Sequence, residues 1–165
     1  MKILFLHGWL SKPGCANATF LAENGHAVLN PLLPDDDFGE AVRIAQAVFD
    51  RHKPDVIVGS SRGGAIAMHI QSCDTPLVLL CPAWKKWSNT KSISLSTTIL
   101  HSRADTVIPF AHSEELVRNR GIGLAVLIEV GNDHRLVDPD SLKAMLRACE
   151  RALTCPMTSS DDVSK

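Results

Sequence analysis

The sequence has 165 residues, 45% hydrophobic and 21% charged, with 17 Lys and Arg against 18 Asp and Glu for a formal net charge of −1. This length fits one domain that buries roughly two-thirds of its unfolded surface, and without a basic excess nothing marks a nucleic-acid partner. A membrane span needs about 20 consecutive apolar residues and no such run is present; the apolar start Met1–Leu6 meets His7, Gly8 and a Lys-Pro-Gly turn too early for a signal peptide.

In chain order, the first apolar run, Ile3–Leu6, leads into His7-Gly8-Trp9-Leu10. The second, Ala27–Asn30, is followed by Pro31 and by Asp35-Asp36-Asp37, which reads as a cap ahead of a helix over Phe38–His52 rather than as a metal site. That helix carries Phe38, Ala41, Val42, Ala45, Val48 and Phe49 on one face. The third run, Val56–Val58, enters Gly59-Ser60-Ser61-Arg62-Gly63-Gly64, with a helix over Ala65–Ile70 behind it. The fourth, Leu77–Cys81, opens a short connection from Pro82 to Leu95 that contains Trp84 and Trp87. The fifth, Thr98–Leu100, leads to His101-Ser102-Arg103-Ala104-Asp105, then to a short helix over Ser113–Arg120 with Ser113 as its cap. The sixth, Ala125–Val130, leads to Gly131-Asn132-Asp133-His134. Asp138-Pro139 then caps a last helix with Leu142, Met145, Leu146 and Cys149 as its buried stripe. Residues 1–153 form the expected domain, and residues 154–165 a polar, disordered tail.

The runs are continuous rather than alternating, as in parallel strands covered on both faces. Strand and helix in strict alternation predict an α/β domain, a three-layer sandwich around a parallel sheet. Ligands of such sheets sit beyond the carboxyl ends of the strands, where the chemistry-bearing residues collect. Gly59-x-Ser61-x-Gly63 lies between a strand and a helix, the setting of a nucleophile elbow. Serine needs a base, and His134 follows the last strand. An acid should orient that histidine; Asp105 follows the fifth strand, with Asp133 and Asp138 as rivals. Two backbone N–H groups should hold an oxyanion: that of Arg62, and that of Trp9 or Leu10 in the loop where Gly8 permits close approach. His7 is expected to be structural, hydrogen-bonding its loop.

Four segments together resemble the α/β-hydrolase superfamily: Leu4-Phe5-Leu6-His7-Gly8-Trp9, Val58 to Gly64, Leu100 to Pro109, and Gly131 to Leu136. The third is similar to the family's H-G-x-x-D-x-x-V-P segment, with Ser102 in place of glycine. The resemblance implies a minimal six-stranded fold with sheet order 2-1-3-4-5-6, without the two antiparallel strands that open larger members and without a helical lid. It implies acyl transfer through Ser61, His134 and Asp105 on a small ester or thioester, with no cofactor and no metal. A second reading is a catalytically weak relative that binds a small molecule or a protein.

Trp9, Leu10, Trp84 and Trp87 fall on loops at the catalytic edge, as substrate-binding walls or as structural packing. Arg62, Lys85 and Lys86 raise the question of an anionic substrate. The five cysteines, Cys15, Cys73, Cys81, Cys149 and Cys155, show no C-x-x-C spacing and read as reduced thiols of a cytoplasmic protein, Cys73 and Cys149 at buried positions and Cys81 as core filler or a reactive thiol. Oligomeric state is not legible.

Overall fold

The computed structural model describes residues 1–87, 93, 96–119 and 126–154. Six strands, β1 (Lys2–Leu6), β2 (Ala27–Leu29), β3 (Val56–Ser60), β4 (Leu77–Leu80), β5 (Thr97–His101) and β6 (Val126–Glu129), alternate with helices α1 (Ala16–Glu23), α2 (Phe38–His52), α3 (Arg62–Ala67), α4 (Trp84–Trp87), α5 (Phe110–Asn119) and α6 (Pro139–Thr154). All strand pairings are parallel, in the order β2-β1-β3-β4-β5-β6. This is the expected three-layer sandwich, with the expected strand order.

The strand interiors are largely apolar because successive residues serve opposite cores. Ile3, Phe5, Val56, Val58, Val78, Leu80 and Leu100 pack against α1 and α6, through Ala18, Leu21, Met145, Ala148 and Cys149. Leu4, Leu6, Ile57, Leu79 and Ile99 pack against α2, α3 and α5, through Ala41, Ala45, Phe49, Ile66 and Leu116. The register Leu6↔Gly59, Ser60↔Leu80 and Leu80↔Leu100 brings the carboxyl ends of the four central strands to one rim.

Helix α2 has the expected bounds, and Asp37 caps it by accepting from the Glu40 N–H at 2.8 Å. Asp138 accepts from the Ser141 N–H at the start of α6. Several features depart from the sequence reading. Trp84 and Trp87, expected on a loop, form helix α4, and the helix expected over Ala65–Ile70 begins at Arg62 and ends at Ala67. Helix α1 was not anticipated: its buried face includes Asn17, and Cys15 at its N-cap makes no side-chain cap bond. Ser113 is no cap, because α5 begins three residues earlier at Phe110 and buries Ser113. Cys73 is exposed rather than buried. The tail from residue 155 on, Cys155 included, and residues 88–92, 94, 95, Arg120 and Ala125 of the expected connections and element ends lie outside the described residues. No described helix is long and apolar enough to cross a membrane.

The tightest packing is where β3 turns into α3. A Cβ on Gly63 would stand 2.0 Å from the Leu6 carbonyl oxygen, and one on Gly59 2.6 Å from the Gly63 carbonyl oxygen. Both obstacles are backbone, which no rotamer change relieves. Gly63→Ala is therefore expected to destabilise the fold by about 3 kcal/mol or more. Gly25→Ala, at φ 85° in open space, should cost about 1 kcal/mol for its backbone conformation alone. Urea unfolding of the two variants measures the difference.

Candidate active site

Ser61 occupies the turn between β3 and α3 at φ 53°, ψ −114°, a conformation that non-glycine residues rarely adopt. Its own backbone holds it there. The Ser61 N–H donates to the Leu80 carbonyl at 2.8 Å, and its carbonyl accepts from the N–H groups of Gly64 and Ala83, each at 3.0 Å. The turn points the hydroxyl over the rim, where it donates to His134 Nε2 at 3.0 Å.

His134 Nδ1–H donates in turn to Asp105 Oδ2 at 2.6 Å. The other carboxylate oxygen accepts from the N–H groups of Val107 (2.7 Å) and Ile108 (2.8 Å). Burial pushes the Asp105 carboxyl up, but the bonds from His134, Ile108 and Val107 outweigh it and hold the carboxyl below its ordinary value. The two rival acids are engaged elsewhere. Asp133 accepts from the backbone N–H groups of Arg135 and Leu136, and Asp138 caps α6. Ser61, His134 and Asp105 thus form one hydrogen-bonded chain, an arrangement able to strip a proton from a hydroxyl and stabilise the imidazolium that results.

Two contributors to this chain were missed in the sequence. His101, at the end of β5, is fully buried, and its Nε2–H is shared between Asp105 Oδ2 (3.1 Å) and the Ile108 carbonyl (3.0 Å), while Nδ1 accepts from the Ser113 hydroxyl at 2.7 Å. Burial lowers the His101 pKa, against the opposing bonds to Ile108 and Asp105, so the ring stays neutral. Its position four residues before Asp105 was the available signal. Ser102, where the family segment has glycine, donates to the Gly131 carbonyl at 3.0 Å and accepts from the Ala104 N–H. It ties the loop of Asp105 to the loop of His134.

The remaining expected residues divide between the cleft and the scaffold. A cleft of about 300 Å³ adjoins Ser61 and His134, with Gly8, Trp9 and Leu10 on one side and Arg135 and Val137 on the other. The Leu10 N–H donates to Asp35 Oδ1 at 3.0 Å, which favours Trp9 over Leu10 of the two candidate donors in this loop. His7 is structural, as expected: Nδ1–H donates to the Gly8 carbonyl (2.9 Å), and Nε2 accepts from the Leu33 N–H (3.1 Å). Trp84 is a correction. It is 3% exposed and donates Nε1–H to the His112 carbonyl, so it anchors α4 to α5 and forms no wall of the cleft. Trp87 stacks on Phe38 at 5.8 Å and lines a neighbouring groove of about 450 Å³ with Lys85 and Lys86, outside the cleft.

The Arg62 side chain is also a correction, since it is fully buried and cannot meet an anionic substrate. Nη2 donates to the carbonyls of Pro34 (2.7 Å) and Asp37 (3.3 Å), and the guanidinium lies against the rings of Trp87 and Phe38. These aromatic faces offset part of the cost of Nε and Nη1, which have no hydrogen-bond partner among the described residues. Burial lowers its pKa, opposed by the charges of Asp35, Asp36 and Asp37. Lys85 pairs with Glu115. Cys81 is buried, and burial together with the Asp105 charge pushes its thiol far up, which removes it as a reactive nucleophile. Its sulfur lies within 4.8 Å of donor atoms of Asp105 and His134. The Asp105 and His134 atoms of this set are already bonded to each other.

A model of the alpha/beta hydrolase family matches residues 3–160. No curated protein matches the sequence. Among solved structures, the chain resembles a hydrolase candidate from Agrobacterium vitis (19% identity, TM-score 0.76, covering 92% of this chain and 87% of that one). It also resembles alpha/beta hydrolase domain-containing protein 10 from mouse (15%, 0.73, 93% and 89%). A third likeness is to Est1E of Butyrivibrio proteoclasticus with ferulic acid bound (15%, 0.73, 93% and 88%). At these identities the likeness is one of fold.

The buried neutral His101 has a consequence for stability. Its folded pKa lies below the ordinary 6.5, so the unfolded chain binds a proton first, and stability is full above that value and is lost as pH falls below it. His112, lowered mainly by burial and then by Lys85, acts in the same direction. The melting temperature should therefore fall between pH 7.5 and about pH 5. His101→Gln, which keeps a donor to Asp105 but does not titrate, should flatten that slope in a calorimetric pH series.

Proposed function

The chain belongs to the alpha/beta hydrolase family, and on that premise we propose that it is a serine hydrolase of small carboxylic esters or thioesters. The observation that carries the reading is the hydrogen-bonded chain from the Ser61 hydroxyl through His134 to Asp105, at 3.0 and 2.6 Å. His134 Nε2 takes the Ser61 proton as Oγ attacks the acyl carbon. The N–H groups of Trp9 and Arg62 hold the resulting oxyanion. Collapse of the tetrahedral intermediate breaks the bond to the leaving group, which receives the proton from His134, and an acyl-Ser61 ester remains. Water, deprotonated by His134, then attacks that ester, and the acid leaves as Ser61 recovers its proton. Asp105 fixes the imidazole tautomer and stabilises the imidazolium throughout.

A cleft of about 300 Å³ lies at the small end of ligand pockets and favours short acyl groups. Trp9 and Leu10, 49% and 74% exposed, supply its apolar side. A cytoplasmic setting is part of the same proposal, supported by the free thiols of Cys15, Cys73, Cys81 and Cys149.

A fluorophosphonate probe should label the wild-type protein and leave Ser61→Ala unlabelled, with the two melting at similar temperatures. Absence of labelling in the folded wild type would overturn the reading. Asp105→Asn should lower turnover by about 10,000-fold, because the imidazole would take the wrong tautomer. Steady-state assay on p-nitrophenyl acetate measures the loss. Across p-nitrophenyl esters of increasing length, kcat/KM should peak at acetate to butyrate and fall steeply by dodecanoate.

A further inference from the structure

We propose that Arg135 selects esters bearing a carboxylate, so that the cleft is built for a short, acid-bearing substrate. This inference rests on the serine-hydrolase reading above and deepens it.

The first support is the charge distribution of the cleft. Among the described residues, its walls include no Asp or Glu, and Arg135 is the only Lys or Arg. The second is that Arg135 is available where its neighbours are not. The Arg62 head is buried against carbonyls and rings, Lys85 is paired with Glu115, and Lys86 stands over the rings of Trp9 and Trp87 at 4.9 and 5.3 Å. Arg103 is paired with Glu129 and Glu114. No described residue bonds or pairs with the Arg135 guanidinium.

The third support is how Arg135 is held. The neighbouring Asp133 accepts from the backbone N–H groups of Arg135 and Leu136 at Oδ1, at 2.9 and 3.0 Å, rather than from the Arg135 side chain. The main chain is thereby fixed beside His134, while the side chain stays exposed at the mouth of the cleft. Ser11 and Ser60 are among the same lining residues. An exposed guanidinium beside a cleft with no Asp or Glu among its described lining residues matches a carboxylate in charge and in hydrogen-bonding geometry. Because the guanidinium is exposed, the preference belongs at the weak end of charge-assisted contacts, about tenfold. It acts before and during the chemistry alike, so it appears in KM rather than kcat.

The test compares charged and neutral esters of matched shape, with the anion on either side of the scissile bond. One pair is p-nitrophenyl hydrogen glutarate and its methyl ester; the other is 4-acetoxybenzoate and its methyl ester. In at least one pair the wild type should favour the anionic member about tenfold in kcat/KM, through KM, with the preference shrinking in 1 M NaCl. Arg135→Gln should bring the ratio to about one, Arg135→Glu should invert it, and Arg135→Lys should retain part of it. A wild type that favours the neutral member of both pairs, or a ratio unmoved by Arg135→Gln, would overturn the proposal. If the wild type hydrolyses none of the four esters, the hydrolase reading fails separately. Calorimetric titration of 4-acetoxybenzoate into the Ser61→Ala protein then decides the role of Arg135: a dissociation constant raised about tenfold by adding Arg135→Gln sustains it, and an unchanged one or no binding rejects it.

Discussion

Between residues 59 and 64, strand β3 and helix α3 pass so close to each other, and to the end of β1, that backbone meets backbone with no room for a side chain at Gly59 or Gly63. The one side chain that does emerge, that of Ser61, sits on a residue at φ 53°. Strain of this kind persists only where the surroundings over-determine it. Here the surroundings are the N–H bond to Leu80 and the carbonyl bonds from Gly64 and Ala83. The same bonds tie β3, β4, α3 and the segment leading to α4 into one joint. The rest of the site is arranged around an oxygen whose position that joint dictates.

Opposite that oxygen, the fold concentrates negative charge in a place where it would ordinarily be unfavourable. The Asp105 side chain has no exposure to solvent, yet it accepts four hydrogen bonds, from His134, His101, Val107 and Ile108. Donors fixed in a low-dielectric interior stabilise a carboxylate without any reorganisation. His101 contributes as a neutral donor, kept so by burial and by the Ser113 hydroxyl at its other nitrogen. The buried Cys81 thiol, pushed up by burial and by the Asp105 charge, lies within 4.8 Å of both Asp105 and His134.

The sheet was legible because each strand is built around a short continuous apolar run, and the positions that converge at the rim, Ser61, Asp105 and His134, were legible because each closely follows a strand end. Helix α1 was not, since a face built from Asn17, Ala18 and Leu21 carries little periodic signal. Side-chain direction was the commoner loss. Arg62 and Trp84 sit in the segments where substrate contacts belong, but one turns under the loop before α2 and the other into α5. The Ser102 bond to Gly131 spans 29 residues, and no local pattern encodes a partner at that distance. Ser113 looked like a cap because serine before two glutamates usually is one; Pro109 had already started the helix.

The placement of the indoles carries a practical implication. The chain has three tryptophans and no tyrosine, and all three lie at the carboxyl ends of the sheet: Trp9 in the cleft wall, Trp87 at 6.4 Å from it, and Trp84 buried between α4 and α5. The intrinsic ultraviolet emission of this molecule is therefore a local signal, silent about the far end of the sheet. Of the three, only Trp9 lines the cleft, so a compound bound there acts on that indole's share of the emission, with no label and no turnover required.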